Sequence, residues 1–520
     1  MNRDRQCLRI GRFAARVSIW LTGMAVTGLA ADWPQYRGPN HNAISPERIR
    51  TDWTGSVTNP VWIVHLTNGL TSLTIRDGRV FTQVQRTTNG ENKEFCLALD
   101  AATGTELWAT EVDDASYPHF GVGSTDDGPR STPGVDGDSV YVLTSYLKLY
   151  RLEATNGAVI WSTNLLDGFG GTVIDWQNAA SPVFEDGLIH LNANCGTSTL
   201  MAFRTEDGTL EWRSEDERMT HSTPVLATIH GVRQLVFATQ SGLVSLNPQT
   251  GERIWKFPYP FPYIISLAPS PTVYEDTVYL SAFYTMGAVA AQIIQSNSTQ
   301  VAVQRWRNSN QESHWSTPVC YQGALFGQFT PDNANAELRC IDLATGATRW
   351  AQAGFGRGGV LLADTNLIMI TERGDLVLAD ASTNAYVERG RFQAIPNYVI
   401  GGNKCWNALA LSDGQLYVRS TAYAARFDLS VSDDLAPGLT LQSRTSLNSG
   451  SIQLIIQTSD GTPIDSGRLA GIQVRATTDL GRSLADWTRL TNELVLADGV
   501  VHVEFDAAQT RQFLTVSEPE

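Results

Sequence analysis

The sequence predicts an all-β fold, an eight-bladed β-propeller followed by a small β-sandwich. The first observation is a glycine followed four residues later by a tryptophan, which occurs five times: Gly104/Trp108, Gly157/Trp161, Gly208/Trp212, Gly251/Trp255 and Gly346/Trp350. Successive tryptophans from Trp108 to Trp350 are 43 to 53 residues apart, the length of one four-stranded sheet with its loops. Turn signals between strand-forming runs recur with the same period.

Each repeat unit is predicted to be a four-stranded meander. In residues 130–162, strand-forming runs flank a turn at Asp136-Gly137, and a second turn at Gly157 precedes the outer strand with Trp161. Strand signals on both sides of Asp-Gly predict a hairpin. Because glycine accepts a positive φ at little cost, the turns explain these glycines without phosphate binding.

A tryptophan at a fixed place on each outer strand can lie over the neighbouring sheet and bury about 200 Å². We therefore expect seven indoles to dock the sheets onto one another: Trp62, Trp108, Trp161, Trp212, Trp255, Trp306 and Trp350. The fifth unit keeps Trp306 but lacks its turn glycine, and the seventh has Glu388 where tryptophan is expected.

The two ends of the repeat region are expected to pair. Eight units open near Thr71, Thr132, Ser181, Thr223, Ser270, Thr317, Gly359 and Asn407. The last unit has only three strands before Leu429, and residues 59–64, which carry Trp62, can supply the missing outer strand. This pairing would close the ring and remove exposed sheet edges.

The N-terminus indicates export. Five arginines precede an uncharged run from Val17 to Ala30, which is typical of a Sec-type signal peptide. Cys7 precedes this run, so we expect a periplasmic or secreted protein that is not a lipoprotein and has no transmembrane segment after cleavage. The predicted parts are the signal peptide 1–30, an N-terminal extension 31–58, the propeller 59–430, a linker 431–438 and a C-terminal β-sandwich 439–520.

The charge makes some partner classes improbable. The chain has 38 Lys and Arg against 53 Asp and Glu, a net charge of −15, and removal of the leader with its +4 leaves −15 − 4 = −19. Nucleic acid and anionic membranes are poor partners for such a protein. The five cysteines after the leader are odd in number and widely spaced, so we expect buried apolar side chains rather than a disulfide framework.

Four segments carry a resemblance to a known family. Residues 100–108 (DAATGTELW), closely repeated at 342–350, resemble the tryptophan-docking motif of pyrroloquinoline quinone (PQQ)-type repeat proteins. Residues 32–40 (DWPQYRGPN) and 128–133 (GPRSTP) are similar to exported bacterial PQQ-like or BamB-like propellers of the quinoprotein alcohol dehydrogenase-like superfamily. The resemblance spans roughly residues 32–430 and implies the propeller fold.

The resemblance implies one of two functions. The family's quinoprotein dehydrogenases hold PQQ and calcium with carboxylate and amide ligands, a base aspartate and often adjacent cysteines, whereas its BamB-like members bind proteins without catalysis. This chain has no Cys-Cys pair and no recognisable calcium ligand set. We therefore expect no PQQ, calcium or other metal. It also lacks the lipidation cysteine of BamB.

The tail carries a separate, short resemblance. Residues 476–480 (ATTDL), Trp487 and residues 512–516 (QFLTV) are similar to C-terminal β modules of exported bacterial proteins. This similarity implies an accessory or adhesion role.

The loops that enter each innermost strand of a propeller gather at one mouth of the central channel. Five residues share one position there, three before the strand-opening proline: Arg130, Ala179, His221, Ala268 and Trp315. Arg130 and His221 can grip an acidic or hydroxylated ligand, and Trp315 or Trp406 can supply a stacking face. The alternative is that these side chains hydrogen-bond neighbouring backbones and fill the channel.

Asp175, next to Trp176 in a glycine-bearing loop, is the best candidate for a general base. A carboxylate beside an indole in a cleft can have a raised pKa; the alternative is an aspartate that accepts backbone hydrogen bonds in a turn. His119 is expected to pack on aromatic rings rather than bind metal. Three acidic pairs lack the pattern of a calcium loop and are expected to be solvated: Asp113-Asp114, Asp126-Asp127 and Asp433-Asp434.

Three functions stay open. The leading hypothesis is a non-enzymatic, monomeric, exported scaffold that presents its mouth and blade rims to a protein or glycan. The alternative is a PQQ-dependent alcohol or sugar dehydrogenase with an atypical site. A polysaccharide-active propeller that uses Asp175 is the third, and it predicts loss of hydrolysis in Asp175→Asn. Fold analogy does not separate these functions.

Overall fold

The structure is a computed structural model of the 520-residue chain. It describes residues 32–116, 127–261, 267–297, 299–330, 336–396 and 403–431. In the C-terminal part it describes 439–445, 451–458, 464, 469, 472–477, 487–492, 494–497, 500–506 and 513–517. The predicted signal peptide, His119 and the pair Asp433-Asp434 lie outside these residues.

The fold is all-β, with successive four-stranded antiparallel sheets of the kind that build a propeller. Two short strands come first, β1 (Ile44–Ser45) and β2 (Trp62–His65), with a 3-10 helix (Gly55–Thr58) between them. Within the described residues 74–428, the other strands belong to eight sheets.

Sheet 1 contains β3 (Thr74–Arg76), β4 (Arg79–Thr88), β5 (Glu91–Asp100) and β6 (Glu106–Asp114). Sheet 2 contains β7 (Gly134–Asp136), β8 (Ser139–Leu143), β9 (Lys148–Glu153) and β10 (Val159–Asn164), followed by the short helix α1 (Leu165–Phe169). Sheet 3 contains β11 (Val183–Glu185), β12 (Leu188–Asn192), β13 (Leu200–Arg204) and β14 (Leu210–Ser214). Sheet 4 contains β15 (Val225–Ile229), β16 (Val232–Thr239), β17 (Gly242–Leu246) and β18 (Arg253–Pro258).

Sheet 5 contains β19 (Thr272–Tyr274), β20 (Thr277–Ala282), β21 (Gly287–Ser296) and β22 (Thr299–Asn308). Sheet 6 contains β23 (Val319–Tyr321), β24 (Ala324–Phe329), β25 (Glu337–Asp342) and β26 (Thr348–Gln352). Sheet 7 contains β27 (Val360–Ala363), β28 (Asn366–Ile370), β29 (Asp375–Asp380) and β30 (Glu388–Gln393). Sheet 8 contains β31 (Ala410–Ser412), β32 (Gln415–Arg419) and β33 (Tyr423–Asp428).

Sheet 8 takes its outer strand from the beginning of the chain, as the sequence predicted. β2 pairs antiparallel with β33, from Trp62 opposite Arg426 to His65 opposite Tyr423. A second addition was not predicted, because β1 pairs in parallel with β27, with Ile44 opposite Leu362. Sheet 7 therefore has five strands.

The segment predicted to be an N-terminal extension is part of the fold. Trp33 forms a bridge with Ile75 of sheet 1, and the carbonyl of Pro34 accepts a hydrogen bond from the Val135 amide of sheet 2 at 2.7 Å. Together with β1 on sheet 7, these contacts spread residues 32–45 over several sheets.

Arg37 anchors the same segment to the start of sheet 6. Arg37 is 3% exposed, and its guanidinium donates to the carbonyl oxygens of Thr317 at 2.7 Å and Pro318 at 2.8 Å. No local pattern predicts this contact, since the two partners are 280 and 281 residues away along the chain.

Successive sheets are joined by an indole that lies on the turn glycine of the next sheet. A Cβ added to Gly104 of sheet 1 would lie 2.8 Å from Cδ2 of Trp62, and Nε1 of Trp62 donates to the Ala101 carbonyl at 2.9 Å. The same arrangement, with Nε1–O distances of 2.8 to 3.1 Å, joins Trp108 to Gly157 and Ala154, Trp161 to Gly208 and Thr205, Trp212 to Gly251 and Pro248, and Trp306 to Gly346 and Leu343.

The tryptophan contacts differ at the two places where the repeat is irregular. In sheet 5 the β21–β22 hairpin has no turn glycine, and Trp255 of the preceding sheet donates instead to the Gln234 side chain of its own sheet at 2.7 Å. In sheet 7, which lacks a tryptophan on β30, Trp53 packs against Gly390 and lies 5.5 Å edge-on from the ring of Phe392.

The C-terminal part contains two further sheets, as expected for a β-sandwich. Their strands are β34 (Leu439–Thr445), β35 (Ser451–Thr458), β36 (Gln473–Thr477), β37 (Thr488–Arg489), β38 (Leu494–Ala497), β39 (Val500–Asp506) and β40 (Phe513–Ser517). One sheet has the order β34-β35-β39-β38 and the other β37-β36-β40. Residues of both share one apolar cluster, in which Leu454 and Val503 from the first pack with Ile472 and Val474.

We expect Gly157→Ala to destabilise the protein more than Gly137→Ala. Both glycines have positive φ, 74° and 53°, so both substitutions strain the backbone. Only at Gly157 would the new Cβ meet an indole, 2.5 Å from Cε3 of Trp108, whereas Gly137 has nothing within 4 Å. Overpacking of this kind costs about 1–3 kcal/mol, and urea unfolding followed by tryptophan fluorescence measures it. Equal losses in the two variants would contradict indole docking as the cause.

Candidate functional site

The predicted site residues lie in the loops before the innermost strands. Arg130, His221 and Trp315 precede β7, β15 and β23 by four residues each, and Trp406 precedes β31. The shared sequence position therefore corresponds to one shared place in the fold, which we call the mouth.

Arg130 and His221 hold the backbone of the loop before sheet 3. Nε2 of His221 lies 3.0 Å from the Asp175 carbonyl oxygen and 2.9 Å from that of Gln177, so this nitrogen carries the proton. Nη1 of Arg130 donates to the Trp176 carbonyl at 3.1 Å. Trp176 and Gln177 have φ values of 67° and 56°, so the two side chains hold a strained turn.

The structure places Asp175 at an exposed position of this loop. Only the main-chain oxygen of Asp175 faces His221. The neighbouring Trp176 is partly exposed.

Trp315 and Trp406 lie in a second group, in which four rings follow one another. Ring centroids are 4.2 Å apart between Phe283 and His314, 4.0 Å between His314 and Trp315, and 4.1 Å between Trp315 and Trp406. We call Phe283, His314, Trp315 and Trp406 the aromatic ladder. His314, Trp315 and Trp406 are partly exposed, while Phe283 is buried.

Charged side chains border the ladder. The Arg357 guanidinium lies 5.1 Å from the centre of the Trp315 ring, and Nζ of Lys404 lies 4.7 Å from that of Trp406, distances at which a cation attracts a ring face. Nε1 of Trp406 donates to Oε1 of Glu372 at 3.0 Å, and the same oxygen is 4.0 Å from Nη1 of Arg357.

One carboxylate connects the two groups. Both oxygens of Asp127 accept from Nζ of Lys404, at 2.7 and 2.9 Å, and Oδ2 is 3.9 Å from Nη2 of Arg130. The expectation that Asp127 is solvated surface is wrong, because its side chain is only 11% exposed. Its predicted partner Asp126 lies outside the described residues.

Asp113 was also expected to be solvated, and this expectation is wrong. Its carboxylate is 2% exposed and lies 2.7 Å from Nζ of Lys148, while Thr144 donates to its other oxygen at 2.6 Å. Asp114 is exposed, as expected.

The sequence did not predict six residues as part of the mouth: Asp127, Phe283, His314, Arg357, Glu372 and Lys404. His314 and Lys404 stand one and two residues before predicted tryptophans, which was an available signal. Arg357 and Glu372 do not stand at a position of the repeat from which a site residue could be predicted.

Burial keeps two mouth histidines neutral. It lowers the pKa of His221 to about 4, with the positive charge of Arg130 acting in the same direction. It likewise lowers the pKa of His314 to about 3, with Arg357 contributing. Both rings are therefore uncharged at neutral pH.

The mouth carboxylates bond to neighbouring side chains. In the described part of the chain, no group of three or more His, Cys, Asp and Glu side chains stands in a metal-binding arrangement. Glu372 and Asp127 instead accept from Trp406 and Lys404. The five described cysteines are buried and unpaired, as predicted: Cys96, Cys195, Cys320, Cys340 and Cys405.

The fold and the docked indoles define the class of PQQ-like repeat propellers. The family model PQQ_2, described as "Outer membrane protein assembly factor BamB", matches residues 92–352, half of the chain. The chain belongs to this family.

Two curated relatives carry the same description. The BamB of Moranella endobia (strain PCIT) is 23% identical over 295 residues, 55% of this chain and 60% of that protein. The BamB of Yersinia pestis is 27% identical over 124 residues, 24% of this chain and 28% of that protein. The chain thus matches less than two thirds of the length of either relative.

A solved structure shows the similarity of fold. A quinohemoprotein alcohol dehydrogenase, ADHIIG of Pseudomonas putida HK5, has a TM-score of 0.51 and 12% identity, and the match covers 81% of this chain and 84% of that one. BamB from Moraxella catarrhalis has a TM-score of 0.49 and 14% identity over 71% of this chain and 97% of that one. Among the described residues, no helix has the length and apolar character needed to cross a membrane.

We expect the stability of the protein to fall between pH 6.5 and pH 4, and His221→Gln to reduce this fall. The folded-state pKa of His221 is about 4 against about 6.5 in an unfolded chain. In this range the unfolded state binds more protons, so acid favours it, by up to roughly 3 kcal/mol for His221. Thermal unfolding at a series of pH values measures the slope.

The matched control is His65→Gln, at an exposed histidine of β2. It separates the effect of removing a buried histidine from that of removing any histidine. A His221→Gln slope equal to that of the wild type would contradict the assignment of a buried neutral ring.

Proposed function

We propose that this protein is an exported, non-catalytic binding scaffold, an eight-bladed propeller that presents its mouth and rims to a protein partner. The observation that carries the proposal is that the polar side chains of the mouth bond to other groups of the protein. Arg130 and His221 bond the 175–177 backbone, and Asp127 and Glu372 pair with neighbouring side chains. These groups position loops rather than await a substrate.

Hydrogen bonds between sheets 8 and 1 support the closed ring of eight blades. The Ala408 amide donates to Oγ of Ser72 at 2.9 Å, which repeats, at the same distance, the bond from the Ser72 amide to Oγ1 of Thr132 between sheets 1 and 2. In addition, Arg419 of β32 donates to the hydroxyls of Thr71 and Thr82.

A protein partner is favoured over other classes by two findings. The family description and both curated relatives name a factor for outer membrane protein assembly, which acts on proteins. Large apolar side chains are also exposed on or next to the outer strands of sheets 8, 1 and 2: Val61, Ile63, Leu107, Val159 and Ile160. These side chains are available to contact a protein partner.

Substitution of the apolar rim tests where the partner binds. In Val159→Ser/Ile160→Ser, which removes side chains 51% and 48% exposed, we expect crosslinking in cells to lose the specific protein partner. The matched control is Val301→Ser/Val303→Ser on sheet 5, at side chains 48% and 38% exposed. Crosslinks that survive in the rim variant would contradict this surface.

A redox assay tests the absence of catalysis. The purified protein with added PQQ and calcium should reduce no dye in the presence of alcohols or sugars. Turnover would overturn the scaffold and favour the alternative, a PQQ-dependent dehydrogenase with an atypical site.

A further inference from the structure

The outer strands of sheets 1 and 2 each carry a β-bulge at the residue before the docking indole. The register of β5 and β6 skips Leu107, which lies opposite no residue of β5, and Ile160 is skipped in the same way between β9 and β10. A bulge re-aims its side chain and interrupts the edge of a sheet. Leu107 and Ile160 are 47% and 48% exposed, so these bulges present apolar side chains to the outside.

The same bulge position is filled differently in sheets 3 to 7. It holds Glu211, Ile254, Arg305, Arg349 and Arg389 in that order. Ile254 is only partly exposed, and the charged residues of sheets 3, 6 and 7 form ion pairs within their own sheets. Charged side chains are the usual protection of a sheet edge. Sheets 1 and 2 depart from this pattern.

The outer strand of sheet 8 extends the apolar surface. Val61 and Ile63, 48% and 39% exposed, flank the indole that lies on the Gly104 turn of sheet 1. Sheet 1 in turn contacts sheet 2, where Thr110 donates to the Gly157 carbonyl at 2.7 Å. We call β2, β6 and β10, together with Val61, the rim sector.

The rim sector is also acidic. Its three strands contain two Glu and two Asp but no Lys or Arg, whereas the outer strands of sheets 3 to 7 contain eight Lys and Arg against two Glu. Glu106, Glu111 and Asp114 of the sector are exposed. Arg86 and Lys93 pair with the first and the last of these, while no cation of the described chain pairs with Glu111.

These two properties define the partner that fits the sector. Burial of Leu107 and Ile160 against apolar side chains is favourable, and the neighbouring carboxylates attract Lys and Arg but repel Asp and Glu. We propose that the rim sector binds a protein face whose apolar side chains are bordered by Lys or Arg. This inference rests on the scaffold function proposed above and adds the chemistry of the partner.

Two synthetic β-hairpin peptides of equal length test the charge of the partner. Both present leucines on one face, bordered by lysines in one peptide and by glutamates in the other. Their binding to the purified full chain is measured by fluorescence anisotropy. We expect saturable binding of the lysine peptide and at least tenfold weaker binding of the glutamate peptide. No saturable binding of the lysine peptide, or equal binding of the two, would overturn the proposal.

Two variants locate the site. Glu111→Lys and Leu107→Ser should each weaken binding of the lysine peptide at least tenfold. The matched controls, Glu252→Lys and Val232→Ser, change exposed residues of sheet 4 and should bind like the wild type. Because Glu111→Lys and Glu252→Lys alter the net charge equally, equal losses in both would show attraction to the whole chain and overturn the proposal, as would unchanged affinity in Glu111→Lys.

A second copy of this chain is the competing occupant. β22 of sheet 5 combines two exposed valines, Val301 and Val303, with two arginines, which is the chemistry that the sector requires. Light scattering over a range of concentrations should find a monomer. A dimer that Glu111→Lys dissociates would assign the sector to self-association and overturn a separate partner.

Failure of this inference is separable from failure of the scaffold. Crosslinks to a specific partner that disappear in Val159→Ser/Ile160→Ser but persist in Glu111→Lys would leave the scaffold standing and overturn the basic partner. Dye reduction with PQQ and calcium would overturn the scaffold, whichever peptide binds.

Discussion

The contact between an indole and a glycine turn is the constraint on which the rest of this structure depends. An outer-strand tryptophan covers the turn of the next sheet and donates to a carbonyl there, as Trp108 does to Ala154. Glycine is required at that turn for two reasons, its positive φ and the absence of a Cβ that would enter the indole. Four of the five Gly-x-x-x-Trp motifs therefore serve two neighbours, because the glycine receives the preceding sheet's indole and the tryptophan donates to the following sheet. The exception is Trp255, which donates within its own sheet.

Because the sheets hold the fold together, the loops at the mouth can carry different side chains at equivalent positions. Equivalent positions carry Arg130, His221 and Trp315, and each has found a different partner: a carbonyl, a pair of carbonyls and a stack of rings. The outcome is a mouth organised by its own contacts, in which Asp127 joins residues from distant parts of the chain. Such pre-organisation suits binding, because little order has to be imposed when a ligand arrives.

Most of the fold was open to prediction because its signals are local and repeated. Turn glycines, strand periodicity and tryptophan spacing act within about ten residues, and even the pairing of β2 with β33 followed from a missing strand in the last unit. Contacts that no repeat marks were not predictable. Arg37 reaches Thr317 across 280 residues, and Trp53 packs on Gly390 where the repeat is degenerate. At the mouth, position in the repeat identified Arg130 and His221, but their partners depend on loop conformations that the sequence does not encode locally.

The pairing of β2 with β33 determines how sheet 8 can come apart. Stacked linear repeats can fray from either terminal unit, since each contacts only its neighbours. Here β2 is the edge strand of sheet 8, and the segment before it touches sheets 1, 2, 6 and 7. Detachment of β2 would uncover Trp62 and the edge of β33 at once, so sheet 8 cannot fray by itself in the way that a terminal repeat can.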